Sequence, residues 1–349
     1  MRFSYALLPD YPLVESLASI RLADALGFHA CYVADETWHK DPWQLLAVAA
    51  GQTRTIRLGT CASPVTLRDP TLIAQALATL DELSGGRAEA VLASGNCGLL
   101  AQYGIDGAAH RPLSRVKEAL GVVRTLLDEG AITRRGAFAS YEGLFTFARP
   151  VQQRVPLKLG AMRGPRSFVA AGESSDGCHH SMSATREAYE YAVRHLRAGA
   201  ERAGRDWRDL DIGAWVVFAT GPDGALAREA ARSMIGPYAS AVSDEQLLRN
   251  GVDPGALRPV VAAVRAGDPA RGIELTDPGV VARLAIAGTP AQCAEQIRTQ
   301  LRPAGVNHVI CAIVDPTLVR LFTGRELPGL PGVDEQLRLV HDAVRPAVG

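Results

Sequence analysis

Residues 56–93 read IRLGTCASPVTLRDPTLIAQALATLDELSGGRAEAVLA. Ile56 to Thr60 has the character of a buried strand, Pro70 to Leu83 that of a helix, and Ala88 to Ala93 that of the next strand. The same rhythm continues on both sides. Toward the N-terminus, Arg2–Leu8 reads as a strand and Leu13–Leu26 as a helix, with Leu13, Leu17, Ile20, Leu22 and Leu26 at near-helical spacing. Cys31–Ala34 is then a strand and Pro42–Ala50 a helix. Toward the C-terminus come a helix at Leu113–Leu127, a strand at Leu157–Gly160, a helix at Arg166–Ala171 and a strand at Gly177–Ser181. Ala184–Ala203 is a long helix, Asp211–Ala219 a strand, a further helix begins at Gly224, and Val306–Ile313 is the last strand.

Two stretches interrupt the alternation. Residues 131–147 are broken by Gly136 and Gly143 and read as a hairpin outside the main sheet. Residues 242–275 read as inserted helices with turns at Asn250-Gly251 and Asp253-Pro254-Gly255. Gly279 to Ile286 then leads into a helix start in which Thr289 caps, Pro290 takes the first turn and Gln292 closes a capping box. About eight βα units in one chain predict the α/β class and a (β/α)8 TIM barrel, with an outer hairpin insertion and a helical insertion after strand seven. No linker-like tract divides residues 1–349, so the expectation is a single domain. An open doubly wound sheet shares the rhythm but lacks support, because no dinucleotide fingerprint is present.

The 37 basic and 37 acidic side chains cancel. That excludes a general nucleic-acid binder, which needs a counterion-releasing basic surface. A hydrophobic fraction of 47% with 21% charged residues is ordinary globular composition. The six cysteines, Cys31, Cys61, Cys97, Cys178, Cys293 and Cys311, show no CxxC pair, so neither a disulfide framework nor a zinc ribbon is indicated. No stretch approaches ~18 uninterrupted apolar residues, and the N-terminal apolar run is too short for a secretion signal. The expectation is a cytoplasmic protein without membrane association that acts on a small-molecule substrate.

In a barrel of this kind the loops after the strands build the active site. After strand two stands Asp35-Glu36-Thr37-Trp38-His39-Lys40, which offers acid/base groups and an aromatic platform, or simply a solvated loop with Asp35 as a cap. After strands three and four, Cys61-Ala62-Ser63-Pro64 and Ala93-Ser94-Gly95-Asn96 are small enough for a flat ligand to approach the backbone, or are tight turns. After strand five, Gly160-Ala161-Met162-Arg163-Gly164-Pro165-Arg166 suits a phosphate held by free amides at a helix start, or a helix entry using Pro165. Cys178-His179-His180 lies on strand six. Neighbours on a strand face opposite sides, so the three cannot converge on a metal; one histidine faces the barrel mouth and the other packs, or both are structural. No Gly-x-Ser-x-Gly elbow is present.

Several segments, in order, carry a family likeness: Leu7-Leu8-Pro9-Asp10, Leu58-Gly59 through Arg68-Asp69-Pro70, Ala78 through Ala88, Gly164-Pro165 with Ala171-Gly172-Glu173, Gly251-Val252-Asp253, Ala287-Gly288-Thr289-Pro290 and Ala304-Gly305-Val306. With these the chain resembles the bacterial luciferase-like superfamily, and within it the coenzyme F420-dependent methylenetetrahydromethanopterin reductases. The resemblance implies a homodimeric (β/α)8 barrel with coenzyme F420 as cofactor, FMN being the alternative. It implies a non-prolyl cis peptide at Cys61–Ala62, ring contacts at Asp35, Ser63 and Ser94-Gly95-Asn96, and a cofactor phosphate on the amides around Gly160 to Pro165.

The reaction so implied is hydride transfer between the reduced deazaflavin and a C=N or C=C bond, with a protein group supplying the proton. Two departures stand out: Ala6 takes the place of the reductase's strand-one carboxylate, and Glu36 that of the histidine beside its loop aspartate. There is also one extra residue in the Gly160–Gly164 loop. A substrate other than the methanogenic pterin is therefore expected, with natural-product biosynthesis among the settings that fit, and with Glu36 as proton donor and His39 and His180 as alternates. An FMN-dependent monooxygenase and a non-catalytic flavin-binding paralogue are the competing readings.

Overall fold

The computed structural model describes residues 1–8, 11–106, 109–161, 164–238 and 242–349. Eight parallel strands close a barrel: β1 (Arg2–Leu7), β2 (Ala30–Val33), β3 (Arg57–Pro64), β4 (Ala88–Ala93), β7 (Leu157–Ala161), β8 (Gly177–Ser181), β9 (Asp211–Thr220) and β11 (His308–Ile313). The ring closes where Ser4 of β1 pairs with Ile310 of β11. Between β4 and β7, β5 (Ala131–Arg135) and β6 (Ser140–Phe145) form a separate antiparallel hairpin. Around the barrel run α1 (Leu13–Ala25), α2 (Pro42–Ala50), α3 (Pro70–Ser84), α4 (Cys97–Gln102), α5 (Pro112–Glu129), α6 (Pro165–Ser174), α7 (Arg186–Arg202) and α8 (Gly224–Tyr238). The long insertion holds α9 (Asp244–Arg249), α10 (Pro254–Arg265), α11 (Pro269–Leu275) and α12 (Pro278–Leu284), and α13 (Pro290–Gln296) comes after it. The Thr289–Gln292 capping box is formed in both directions. No helix among the described residues is long and apolar enough to cross a membrane.

Two strands of the main sheet differ from the sequence reading. Ala285–Gly288 is a strand, β10, which pairs with Val217–Thr220 at the upper end of β9, while the lower end of β9, from Asp211 to Trp215, pairs with β8. Cys61 to Pro64, expected as a loop after strand three, continues β3 against Val91–Ala93 with a register irregularity between Cys61 and Ser63. The opening Pro9-Asp10 of the family likeness lies outside the described residues.

The 70–93 segment shows how local sequence fixes the frame. Asp69 caps α3 through Thr71 N, and Gly85 ends it with a left-handed φ of +65° that an L side chain rarely adopts. Ile73, Ala74, Leu77, Ala78 and Leu80 form its buried face. Asp81, fully buried, accepts from Ala88 N (3.2 Å), Val151 N (2.9 Å) and Gln152 N (2.8 Å), so one carboxylate ties helix, strand and the connection into β7. Removing it leaves three backbone amides, that of Ala88 buried, without this acceptor. Asp81→Ala is expected to cost about 2–4 kcal/mol, read as a lower urea midpoint, with Asp81→Asn less damaging.

At α6 and α7 the backbones meet through glycine: a Cβ on Gly172 would collide with Leu196 O, and one on Gly199 with Val169 O. The insertion is fastened to the exit of β8. Gln246 Nε2 donates to Ser181 O (2.8 Å) and Met182 O (3.0 Å), and Asn250 Nδ2 donates to Ser183 Oγ (3.0 Å).

Candidate active site

At the C-terminal mouth of the barrel lies a cavity of about 390 Å³, within the range of small-molecule sites. The strand ends set its walls. Leu8 comes after β1, Ala34-Asp35-Glu36 after β2, Cys61, Ala62 and Pro64 from β3, and Ala93 to Cys97 from the end of β4. Leu159-Gly160-Ala161 of β7, His179 and Ser181 of β8 and Trp215 of β9 complete the ring, with Leu113 and Val116 of α5 and Tyr238 of α8 above. Most of this lining is apolar.

The Cys61–Ala62 peptide is cis, as the family resemblance implied. Beside it the floor is built of small residues. A Cβ on Gly160 would stand 3.3 Å from Ala93 Cβ and 3.8 Å from Ala62 Cβ, so small residues of three neighbouring strands lie side by side in the cavity wall. Gly95, with a φ of +116°, turns the chain out of β4, and Asn96 then caps α4 by accepting from Gly98 N (2.9 Å).

Asp35 lines the cavity, yet its carboxylate is fully engaged. Ser63 Oγ donates to it at 2.7 Å, Trp43 Nε1 at 3.3 Å, and Arg68 Nε and Nη2 at 3.1 Å each. It orients the loop through a bidentate ion pair. Glu36, next in sequence, lines the cavity, and His39 Nε2 stands 3.4 Å from Glu36 Oε2. His39 itself is not part of the lining.

Strand β8 divides its histidines. His180 points outward: its Nδ1 donates to Ala161 O (2.8 Å), its Nε2 accepts from Ser183 Oγ (3.0 Å), and its ring packs edge-on to Phe168 and Tyr189. Burial pushes its pKa down to about 4, so it is a neutral structural histidine. The expectation that His180 serves as an alternate proton donor is therefore corrected, because the other phase of the strand faces the cavity and brings His179 there instead.

Below the floor the barrel interior is charged. Lys158 Nζ donates to Glu89 Oε1 (2.8 Å) and Tyr32 Oη (2.8 Å) and pairs with Asp211. Tyr32 also donates to Glu89, and Arg57 Nε reaches Glu89 Oε2 at 2.7 Å. Asp211 further accepts from Arg2 (2.9 Å) and His308 Nδ1 (2.9 Å). The donor atoms of His179, Asp211 and His308 lie within 4.8 Å of one another, a metal-like spacing. Lys158 and Arg2 already neutralise Asp211, so the cluster is compensated by the protein's own cations.

Of the residues expected to hold the cofactor, Asp35, Cys61, Ala62, Ser94, Gly95, Asn96, Gly160 and Ala161 line the cavity. Ser63, expected as a ring contact, is fully buried behind the lining and supports Asp35. Gly164 and Pro165 begin α6 just outside the lining, where Gly164 offers no capping side chain and Ser167 of the same turn reaches the cavity. Met162 and Arg163 lie outside the described residues. Sequence reasoning missed His179, Trp215 and Tyr238 as lining groups. Strand alternation announced that one histidine faces inward but left its phase open.

The profile of the luciferase-like monooxygenase family matches residues 1–308. A 5,10-methylenetetrahydromethanopterin reductase of Methanolobus tindarius is 30% identical over 312 residues, covering 89% of this chain and 93% of that protein. A phthiodiolone/phenolphthiodiolone dimycocerosates ketoreductase of Mycobacterium kansasii is 27% identical over 315 residues, covering 86% and 85%. Among solved structures, the coenzyme F420 dependent tetrahydromethanopterin reductase from Methanopyrus kandleri superposes with a TM-score of 0.88 at 25% identity, over 100% of this chain and 99% of that one.

Proposed function

The chain belongs to the luciferase-like monooxygenase family, and from that premise we propose that it is a coenzyme F420-dependent oxidoreductase acting on a C=N or C=C bond of a small organic substrate. The observation that carries the reading is the row of small residues at Cys61–Ala62, Ala93 and Gly160, which leaves room for a planar ring, inside a largely apolar cavity at the barrel mouth. The relatives named above support the deazaflavin and a reductive chemistry. A homodimer in the cytoplasm is part of the same reading.

The deazaflavin supplies a hydride and, with carbon in place of flavin's reactive nitrogen, does not readily activate oxygen. The protein's share is seating, shielding and proton supply. Cys61, Ala62 and Gly160 would seat the ring, Ser94 and Gly95 would border it, and the free amides at the start of α6, beside Gly164, would receive the phosphate. Asp35, clamped by Arg68, Ser63 and Trp43, fixes the loop that carries Glu36. Glu36 gives its proton to the atom that becomes electron-rich as the substrate accepts hydride, and His39 stands ready to return one to Glu36 Oε2. Ala6, facing into the barrel beside Cys61, Ala62 and Trp215, offers no carboxylate to a charged pterin, which favours a different substrate.

Titration with oxidised coenzyme F420 and, separately, with FMN, followed by fluorescence, tests the reading. The expected result is at least about tenfold tighter binding of the deazaflavin, or about 1.4 kcal/mol. Tighter FMN binding would favour the monooxygenase reading in its place, and binding of neither would overturn both cofactor readings.

A further inference from the structure

The floor of the cavity contains an imidazole that the reaction above does not use. We propose that His179, whose Nε2 faces Asp211, is a proton-relay residue that connects the cavity, beside Cys61, to the titratable groups of the barrel interior.

The placement is specific. His179 Nε2 stands 3.6 Å from Asp211 Oδ2, and its Nδ1 stands 3.8 Å from Cys61 Sγ, the cysteine of the cis peptide. The ring is held edge-on between Tyr32 (5.1 Å, 87°) and His308 (5.5 Å, 89°). β9 makes room for it: a Cβ on Gly213 would strike the imidazole. The groups around it are therefore Tyr32 on β2, Cys61 on β3, Glu89 on β4, Lys158 on β7, Asp211 on β9 and His308 on β11.

Charge decides the tautomer. Lys158, Arg2 and His308 keep Asp211 an anion, so the nitrogen of His179 facing it carries the proton and Nδ1 presents a lone pair toward Cys61 and the cavity. Burial lowers the His179 pKa, so the ring is neutral at pH 7 and able to accept. Burial likewise pushes the Cys61 thiol up to about 12, so it remains an S–H donor rather than a competing anion.

The line continues away from the cavity. His308 Nδ1 donates to Asp211, its Nε2 accepts from Ser4 Oγ (2.6 Å), and the ring of half-buried His29 stands 5.2 Å from it near the opposite mouth.

The proton count of the proposed reaction leaves a place for such a group. A donor that gives up a hydride pair also gives up a proton, and the substrate takes one hydride and one proton. Glu36 loses its proton to the substrate at the rim. His179 Nδ1 forms a new N–H bond with the proton released at the floor, whose bonding electrons stay on the atom it leaves. Each turnover thus ends with Glu36 deprotonated and His179 protonated, and both reset by exchange with solvent. This use of His179 rests on the deazaflavin reading, whereas its tautomer does not.

Two measurements separate them. In 15N NMR of the intact protein, with His179→Gln for assignment, His179 is expected as the neutral Nε2–H form at pH 7, with an Nδ1 signal that shifts in Cys61→Ala. An Nδ1–H form, or an imidazolium, would overturn the proposal whether or not any cofactor binds. With oxidised coenzyme F420 bound, the pH midpoint of the cofactor's absorbance change is expected to move by about half a unit or more in His179→Gln, and added imidazole to restore it in His179→Ala. An unmoved midpoint at unchanged cofactor affinity would also overturn it. Failure of F420 to bind would remove the deazaflavin reading, and with it the cofactor-linked role of His179.

Discussion

Lys158→Met is expected to destabilise the protein by about 3–5 kcal/mol, seen as a lower urea midpoint at unchanged slope. Lys158 is 2% exposed, and its ammonium lies between Glu89 and Asp211, themselves 1% and 5% exposed. Methionine keeps the length of the side chain and removes the charge. Arg57 remains for Glu89, and Arg2 and His308 for Asp211, but two buried carboxylates lose their shared cation. Exchanging Glu89 for Gln in the same chain is expected to recover part of the loss, because one of the two buried carboxylates that shared the lost cation is then neutral.

The same cluster sets the pH range of stability. Burial pushes the Glu89 carboxyl up, but the charges of Lys158 and Arg57 outweigh it and hold the group below the ordinary carboxylate range. Asp211 is depressed in the same way, burial being outweighed by His308 and Lys158. Folded pKa values below unfolded ones mean that this stability is present above the unfolded carboxylate pKa of about 4 and is lost as pH falls through the folded values. Burial lowers the Lys158 pKa, and Glu89 and Asp211 more than reverse that. Its contribution is full below the unfolded lysine pKa of about 10.4 and is lost as pH rises through the folded value. In Lys158→Met the stability lost on acidification should be smaller than in the parent, since the carboxylates lose part of the charge that depresses them.

Glu36→Gln is expected to lower kcat by about 10²- to 10⁴-fold on any acceptor the enzyme turns over, while the dissociation constant for the cofactor stays within about threefold. The variant keeps the shape of the side chain and its place in the lining but has no proton to give. Acceptors with C=N, C=C or C=O bonds can be screened by the absorbance of the reoxidised deazaflavin, and Glu36→Gln compared with the parent on the best of them. Equal loss of kcat and kcat/KM places the defect in the transition state. A variant as fast as the parent would remove Glu36 from the reaction.

The barrel was legible because its signal is repetition: Ile56–Thr60, Pro70–Leu83 and Ala88–Ala93 set a pattern that the rest of the chain repeats. β10 was not, since Ala285-Ile286-Ala287-Gly288 is four residues long and lies directly between two helices. The end of β3 was hidden by Ser63 and Pro64, which read as a turn. Asp35, Glu36 and the small residues after β3 and β4 were found because strand ends at the barrel mouth are where reacting groups gather. The interior charges were not. The strand readings at Ala88–Ala93 and Leu157–Gly160 assign no face to Glu89 or Lys158, and a sequence pattern does not say which strand residues meet across the inside of a barrel. His179 escaped for a related reason, as alternation fixes which residues part company and not which of them faces in.

The fastening of the insertion bears on how such a protein can diversify. Gln246 and Asn250 meet polar groups at the exit of β8 that would otherwise be left open. A segment exchanged for residues 242–284 inherits several obligations: a donor for the carbonyls of Ser181 and Met182, partners for Ser183 and Thr185, an acceptor for Ala184 N in place of Arg283 O, and an apolar face in place of Leu247, Val260 and Leu284. Its outward residues are free to differ while the reacting chamber, which none of residues 242–284 lines, keeps its plan.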